Sequence, residues 1–344
     1  MATRRQVLRH LALGLGITAC RGAMAQPAEG ATYVGIETSA RGASRARFFS
    51  ANGAALGHTA LDFRAHGMAE HGARLVVFPR RPGDRFALID KVTLEVLGTV
   101  VAPAERHFFG HGAFTRDGAH LIVPENDLET LGGALGVYDV TGMPRRVGTV
   151  TLPGPGPHEV IRAAGSDVFV VALGGLETHP AYGRTPLNPG TFRSQLVRYD
   201  FARGTVEPMG FWGGSEGVSL RHLAEDGAGR LYVGGQVPGD GAGAVLWVVE
   251  NGAPTALPEG ELMGGYVSSV AADGGRALVT SKVTGQVLEL DGAAVTDTRT
   301  LPGASAVAVR GETAAVAGFT LLSLDGVEIT APDAREFDNH GLIY

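Results

Sequence analysis

A short strand, a polar turn holding Asp or Gly, and a stronger apolar strand recur along this chain, and that repeat restricts its folding more than any single motif. One copy runs from Phe109-Gly110-His111-Gly112 through Arg116-Asp117-Gly118 to Leu121-Ile122-Val123. A second runs from Arg221-His222-Leu223 through Asp226-Gly227 to Leu231-Tyr232-Val233, and a third from Val267-Ser268-Ser269-Val270 through Asp273-Gly274-Gly275 to Ala277-Leu278-Val279. Weaker copies begin at His66, His158 and Ala304. Each continues into a third strand closed by an acid, as in Leu88-Ile89-Asp90 and Val137-Tyr138-Asp139, and then a fourth, as in Gly148-Thr149-Val150-Thr151-Leu152. Four antiparallel strands per unit is the pattern of a propeller blade.

The spacing fits. His66 to His111 is 45 residues, His111 to His158 is 47, His222 to Ser268 is 46 and Ser268 to Ser305 is 37. The interval from His158 to His222 is 64 and holds an insertion around residues 174–194. Six starts plus Asn339-His340-Gly341-Leu342-Ile343 make seven. That last segment pairs naturally with N-terminal strands at Ala31–Ile36 and Arg47–Leu56, which lack an inner strand of their own. The expected fold is all-β: a seven-bladed propeller of the WD/YVTN kind, closed by its two ends so that no sheet edge is left free; six or eight blades are the alternatives. The 52 glycines follow no G-x-y period and lie in no low-complexity tract, so they belong to turns rather than to collagen or disorder.

The first 25 residues read as a leader. Arg4-Arg5 precede an apolar run from Leu11 to Ala19, and no acid occurs before Glu29. This is the form of a twin-arginine signal, with a run too short to span a membrane. The expected product is a soluble periplasmic domain, residues 26–344, cut after Ala23-Met24-Ala25; a lipobox ending in Cys20 is the alternative. Cys20 is the only cysteine, so the mature domain has no disulfide and no thiolate metal site. Cleavage removes four arginines and no acid, taking the net charge from −6 to −10. That balance, with no basic run, argues against nucleic-acid or anionic-membrane partners.

In a blade the start of the inner strand and the loop after the second strand lie at the same mouth of the channel. Five of the 11 histidines, His66, His111, His158, His222 and His340, fall at inner-strand starts. Together with Glu159 they form the candidate metal set, for a borderline divalent ion such as iron, copper or zinc. The returning loops carry Arg80-Arg81, Pro124–Thr130, Gly174–Pro180, Gln236 and Lys282. From these and the insertion Glu177–Arg193, the candidate ligand-binding residues are Arg221, Glu125, Asn126, Glu177, His179 and Arg193. Structural alternatives stand beside each: a Gly-His before an inner strand can simply tie strands together, and Glu125, Asn126 and Glu177 can cap turns. No G-x-S-x-G, H-E-x-x-H, P-loop or C-x-x-C-H haem site occurs, and no segment nominates a catalytic residue.

These motifs resemble the bacterial domain-of-unknown-function family 1513. The resemblance rests on Gly110-His111-Gly112, Glu125-Asn126-Asp127, Gly156-Pro157-His158-Glu159, Gly174-Gly175-Leu176-Glu177-Thr178-His179-Pro180 and Ser219-Leu220-Arg221-His222-Leu223. It departs at Ala113 and in C-terminal blades that look trimmed. The resemblance implies an exported propeller, often encoded beside imelysin-type iron-uptake proteins, and so suggests a part in metal acquisition with such proteins as partners. It assigns no activity. A binding or accessory protein for a metal is therefore the leading expectation. A metal-dependent hydrolase or lactonase at the same mouth, and a pure interaction scaffold, are the alternatives.

Overall fold

The apolar runs after each turn become second strands that are buried on both faces. In Leu75-Val76-Val77-Phe78, Leu75 and Val77 pack toward the preceding blade with Val34, Ile36 and Phe48. Val76 and Phe78 pack toward the following blade with Phe108, Phe114, Leu121 and Val123. Alternation of side chains along a strand thus feeds two inter-blade cores at once, which is why these strands read as continuous apolar runs. The same division recurs where Ala315 and Ala317 face one neighbour and Ala314 and Val316 the other.

The computed structural model describes residues 31–209, 216–239, 243–319, 321–330 and 335–344. The expected leader and Cys20 lie outside the described residues. The strands form seven sheets, one per blade, each ordered from an inner to an outer strand. The inner strands are Arg335–Ile343 (blade 1), Ala65–His71 (blade 2), Arg106–Phe108 with Ala113–Phe114 (blade 3), Pro157–Arg162 (blade 4), Ser219–Glu225 (blade 5), Ser269–Asp273 (blade 6) and Ala306–Arg310 (blade 7). Blade 1 takes its inner strand from the C-terminus: Arg335–Ile343 pairs antiparallel with Ala31–Ser39, matching Val34 with Leu342 and Glu37 with Phe337. The ring closes as expected.

One boundary differs from the sequence reading. The N-terminal segment of blade 1 makes three strands, Ala31–Ser39, Ser44–Ser50 and Ala55–Leu61. The expected strand Arg47–Leu56 is broken because Ser50 and Asn52 close a turn there and Gly53 takes a left-handed φ of 79°. Blade 7 is short, with four strands of four or five residues each. No helix among the described residues is long and apolar enough to cross a membrane.

Closure by the last strand has a measurable consequence. Removing residues 335–344 would uncover the edge of Ala31–Ser39 and one side of the core of Tyr33, Phe49, Ala306 and Leu322. The truncated chain should lose the single cooperative thermal transition of the full domain, read by circular dichroism; an unchanged transition would show that the ring does not depend on this strand.

Candidate metal centre

Each of the five inner strands that carries a histidine is irregular where the histidine sits. In blade 2 Ala65 pairs with Pro79 and Met68 with Val77, so His66-Gly67 spans a bulge. In blade 4 the register slips between Pro157 and Glu159, at His158. In blade 5 it slips between Leu220 and His222, with Arg221 as the extra residue. In blade 1 it slips between Phe337 and Gly341, across His340. In blade 3 the inner strand is interrupted altogether between Phe108 and Ala113, around His111. Blades 6 and 7, which start with serines, keep unbroken register. A bulge turns a side chain that the pleat would otherwise direct into an inter-blade core. Here it turns imidazoles into the channel.

The rings close a pentagon in blade order. Centroid separations are 4.8 Å for His340–His66, 5.1 Å for His66–His111, 5.2 Å for His111–His158, 5.0 Å for His158–His222 and 5.1 Å for His222–His340. His111 also lies 4.7 Å from His340 and 5.8 Å from His222. Glycine makes this approach possible. The Gly67 N–H donates to the Gly110 carbonyl at 3.1 Å, and a Cβ on Gly67 would stand 2.2 Å from that oxygen. Gly110 itself has φ of 108°, with the His66 ring filling the place of its absent side chain.

Glu159 sets the orientation of two of the rings. Its carboxylate oxygens lie 3.3 Å from His111 Nδ1 and 3.2 Å from His222 Nδ1, and the Leu223 N–H donates to it at 3.0 Å. A carboxylate accepts, so both Nδ1 atoms carry protons and both Nε2 atoms present lone pairs. Those two Nε2 atoms, with His66 Nδ1, His158 Nδ1 and His340 Nε2, are buried without a hydrogen-bond partner among the described residues. Burial opposes the Glu159 charge, but the His111 and His222 imidazoles outweigh it and hold the carboxyl well below its usual range. Burial, followed by neighbouring imidazoles and, for His66 and His158, arginines, pushes His66, His158 and His340 well below the ordinary imidazole value. Burial also lowers His222, against the pull of Glu159. Neutral imidazole is the state that ligates a metal. Two triads, His66–His111–His340 and His111–His158–His222, bring one ligand atom from each residue within 4.8 Å of the others. Binding an ion at about 2.0–2.1 Å requires these nitrogens to close in further by rotation of the rings.

The remaining expected residues are placed differently. Glu125 and Asn126 lie within the second strand of blade 3, His120–Asp127, rather than in a loop. Glu125 is fully buried and accepts from Tyr138 Oη at 2.7 Å and from Arg146 at 2.7 Å, with Arg106 at 3.7 Å. Its oxygens are committed to the sheet and not to the histidines. Asn126 donates to the Thr178 carbonyl at 2.8 Å and so ties blade 3 to the Gly174–Pro180 loop. Glu177 lines an outer cleft of about 410 Å³ with Asn188 and Arg193, and its backbone is folded back onto Asn188. His179 accepts from the Ala181 N–H and caps the short 3-10 turn Pro180–Tyr182. Arg193 is exposed, its backbone packed over Gly175. Arg221 is buried beside His222, and its Nε has no partner among the described residues.

Three groups near the centre were not foreseen. Asp338 is buried, 3.7 Å from His66 Nδ1 and 3.1 Å from Arg80. His107 Nδ1 meets the Phe108 carbonyl at 3.1 Å, and burial pushes its pKa down to about 4. Arg184 is carried to the mouth by the insertion, close enough to act electrostatically on Arg221. Only Asp338 leaves a trace in sequence, two residues before His340.

A family model described as "Protein of unknown function (DUF1513)" matches residues 59–343, a span that includes all five histidines. The chain belongs to this family. Among solved structures it is similar to a chain of hydrazine synthase from Kuenenia stuttgartiensis, at 15% identity and a TM-score of 0.64, covering 89% of this chain and 96% of that one. It is also similar to a chain of a nidogen/laminin complex, at 11% identity and 0.53, covering 79% and 94% respectively. At such identities the likeness shows the propeller fold and nothing further. No curated protein sequence matches this one.

The placement of Glu125 predicts a purely structural effect for this family member. Glu125→Ala would leave Arg146 and Tyr138 without their buried carboxylate and should cost about 3–5 kcal/mol in chemical denaturation. Metal binding by the folded fraction should be unchanged. A variant as stable as the parent but impaired in metal binding would place Glu125 in the centre instead.

Proposed function

We propose that this protein is an exported metal-binding propeller whose inner-strand histidines hold one borderline transition-metal ion. The observation that carries this reading is the set of five buried imidazole nitrogens, without hydrogen-bond partners among the described residues, on rings about 5 Å apart. Leaving such groups unsatisfied costs about 1–3 kcal/mol each, so their convergence from five blades is explained by a ligand that takes lone pairs. Glu159 supports it as the outer partner that fixes tautomer and ring orientation, a recurring arrangement behind metal-bound histidines. Nitrogen donors suit iron(II), copper or zinc and not magnesium or calcium. His111 belongs to both triads and offers a single free nitrogen, so the centre takes one ion at a time.

The twin-arginine form of the leader supports a periplasmic setting, and the gene context implied by the family resemblance suggests iron acquisition as the process served. Hydrolysis at the same site has less support. Glu159, the only carboxylate among the described residues bonded to two of the rings, is already held by two imidazoles and a backbone N–H, and so is a poor general base.

Elemental analysis and titration of metal-stripped protein with iron(II), zinc or cobalt(II) test the reading. One ion per chain is expected. His111→Ala should weaken affinity by about 100-fold or more and Glu159→Gln by roughly 10- to 100-fold. His120→Ala, whose ring lies against Phe201 at 5.2 Å, should change nothing. Binding that is absent, or indifferent to His111, would overturn the proposal.

A further inference from the structure

The chain is acidic overall, yet its mouth above the histidine layer is cationic. Arg80 and Arg81 follow the second strand of blade 2, Arg221 is the bulge residue of blade 5, and Lys282 follows the second strand of blade 6. All come from strand ends that face the side where the inner strands begin, and the insertion adds Arg184. Acids there are few. Asp338 is engaged with Arg80 at 3.1 Å and Arg64 at 3.9 Å, and Glu336 lies exposed on the rim of an adjoining cleft of about 270 Å³.

Two of the guanidiniums have no carboxylate partner among the described residues. Arg221 is 5% exposed, its Nε buried without a hydrogen bond. Arg81 is half-buried, with its guanidinium stacked 5.7 Å above the Phe109 ring. Lys282 lies 5.8 Å over the ring of Tyr266, which fixes a third cation on the same rim. Burying an uncompensated charge is costly, and such groups are ordinarily paired.

We infer that the mouth is a built oxyanion site, in which Arg81 and Arg221 grip a multiply charged carboxylate or phosphate ligand beside the histidine layer. Guanidinium forks match both oxyanions bidentately, which a lysine cluster alone would not. The electrostatics agree. Burial, followed by Arg221 and Arg184, holds Arg81 well below the ordinary arginine value, and an anion would relieve it. Arg221 adjoins the imidazole layer through the chain, as the bulge residue beside His222, whose ring lies 5.0 Å from that of His158. The site does not require the metal. With a metal present, the same oxyanion would sit where it could complete the ion's coordination, so the protein would favour an anionic chelate over a bare cation.

The test uses the mature domain, residues 26–344, stripped of metal and titrated calorimetrically with citrate and, separately, pyrophosphate. Saturable 1:1 binding is expected, weakened about tenfold or more by Arg81→Gln and by Arg221→Gln. Tighter citrate binding would mark a polycarboxylate ligand and tighter pyrophosphate binding a phosphate, either supporting the site. Arg203→Gln, in an exposed turn of blade 4, should bind as the parent does. If Arg221→Gln fails to fold, the half-buried Arg81→Gln decides. His111→Ala should keep anion affinity, so loss of the metal and loss of the anion are separable. No saturation by about 10 mM of either anion, or binding untouched by both arginine variants, would overturn the inference.

Discussion

Everything particular to this propeller depends on the broken register of five inner strands. In a regular blade the inner strand alternates between the two inter-blade cores, and a histidine there would meet Val, Leu or Phe. The bulges at His66, His158, Arg221-His222 and His340, and the interruption at His111, withdraw these residues from that alternation. Gly67 and Gly110 then let neighbouring strands come close enough for the rings to meet edge to face. The two blades without histidines are also the two with regular inner strands. The irregularity and the imidazoles are therefore one feature of the design.

That feature carries an energetic penalty which the rest of the molecule absorbs. Among the described residues, five buried nitrogens without hydrogen-bond partners and two guanidiniums without carboxylate partners oppose folding, while stability comes from strands buried on both faces. Residues such as Phe78, Phe86 and Tyr138, fully enclosed between blades, each contribute roughly 1.5–3 kcal/mol from burial. Ring closure by the C-terminal strand keeps those cores sealed. The rigid scaffold thus holds, at its axis, an arrangement that a less stable fold would not tolerate, and Glu159 spans from blade 4 to His111 of blade 3 and His222 of blade 5 to keep it in order.

The architecture was legible in sequence because propeller physics is local. A turn with Asp-Gly, an apolar run and a closing acid repeat at blade spacing, and the orphan segment around His340 points to closure. The histidines were legible for the same reason, each lying at a repeated position. Glu125 was not, because Pro124-Glu125-Asn126-Asp127 has the composition of a turn, and only the distant partners Arg146 and Tyr138 keep it in a strand. The cationic mouth was legible in part. Arg80-Arg81, Arg221 and Lys282 stand out along the chain, but Arg184 joins them through the fold of the insertion alone, and no local period marks it.

The most direct test of the central claim is X-ray absorption at the metal edge of the loaded, folded protein. The account predicts a first shell dominated by nitrogen at about 2.0–2.2 Å, with the outer-shell scattering of at least three imidazoles. A shell of oxygens without imidazole scattering would contradict it.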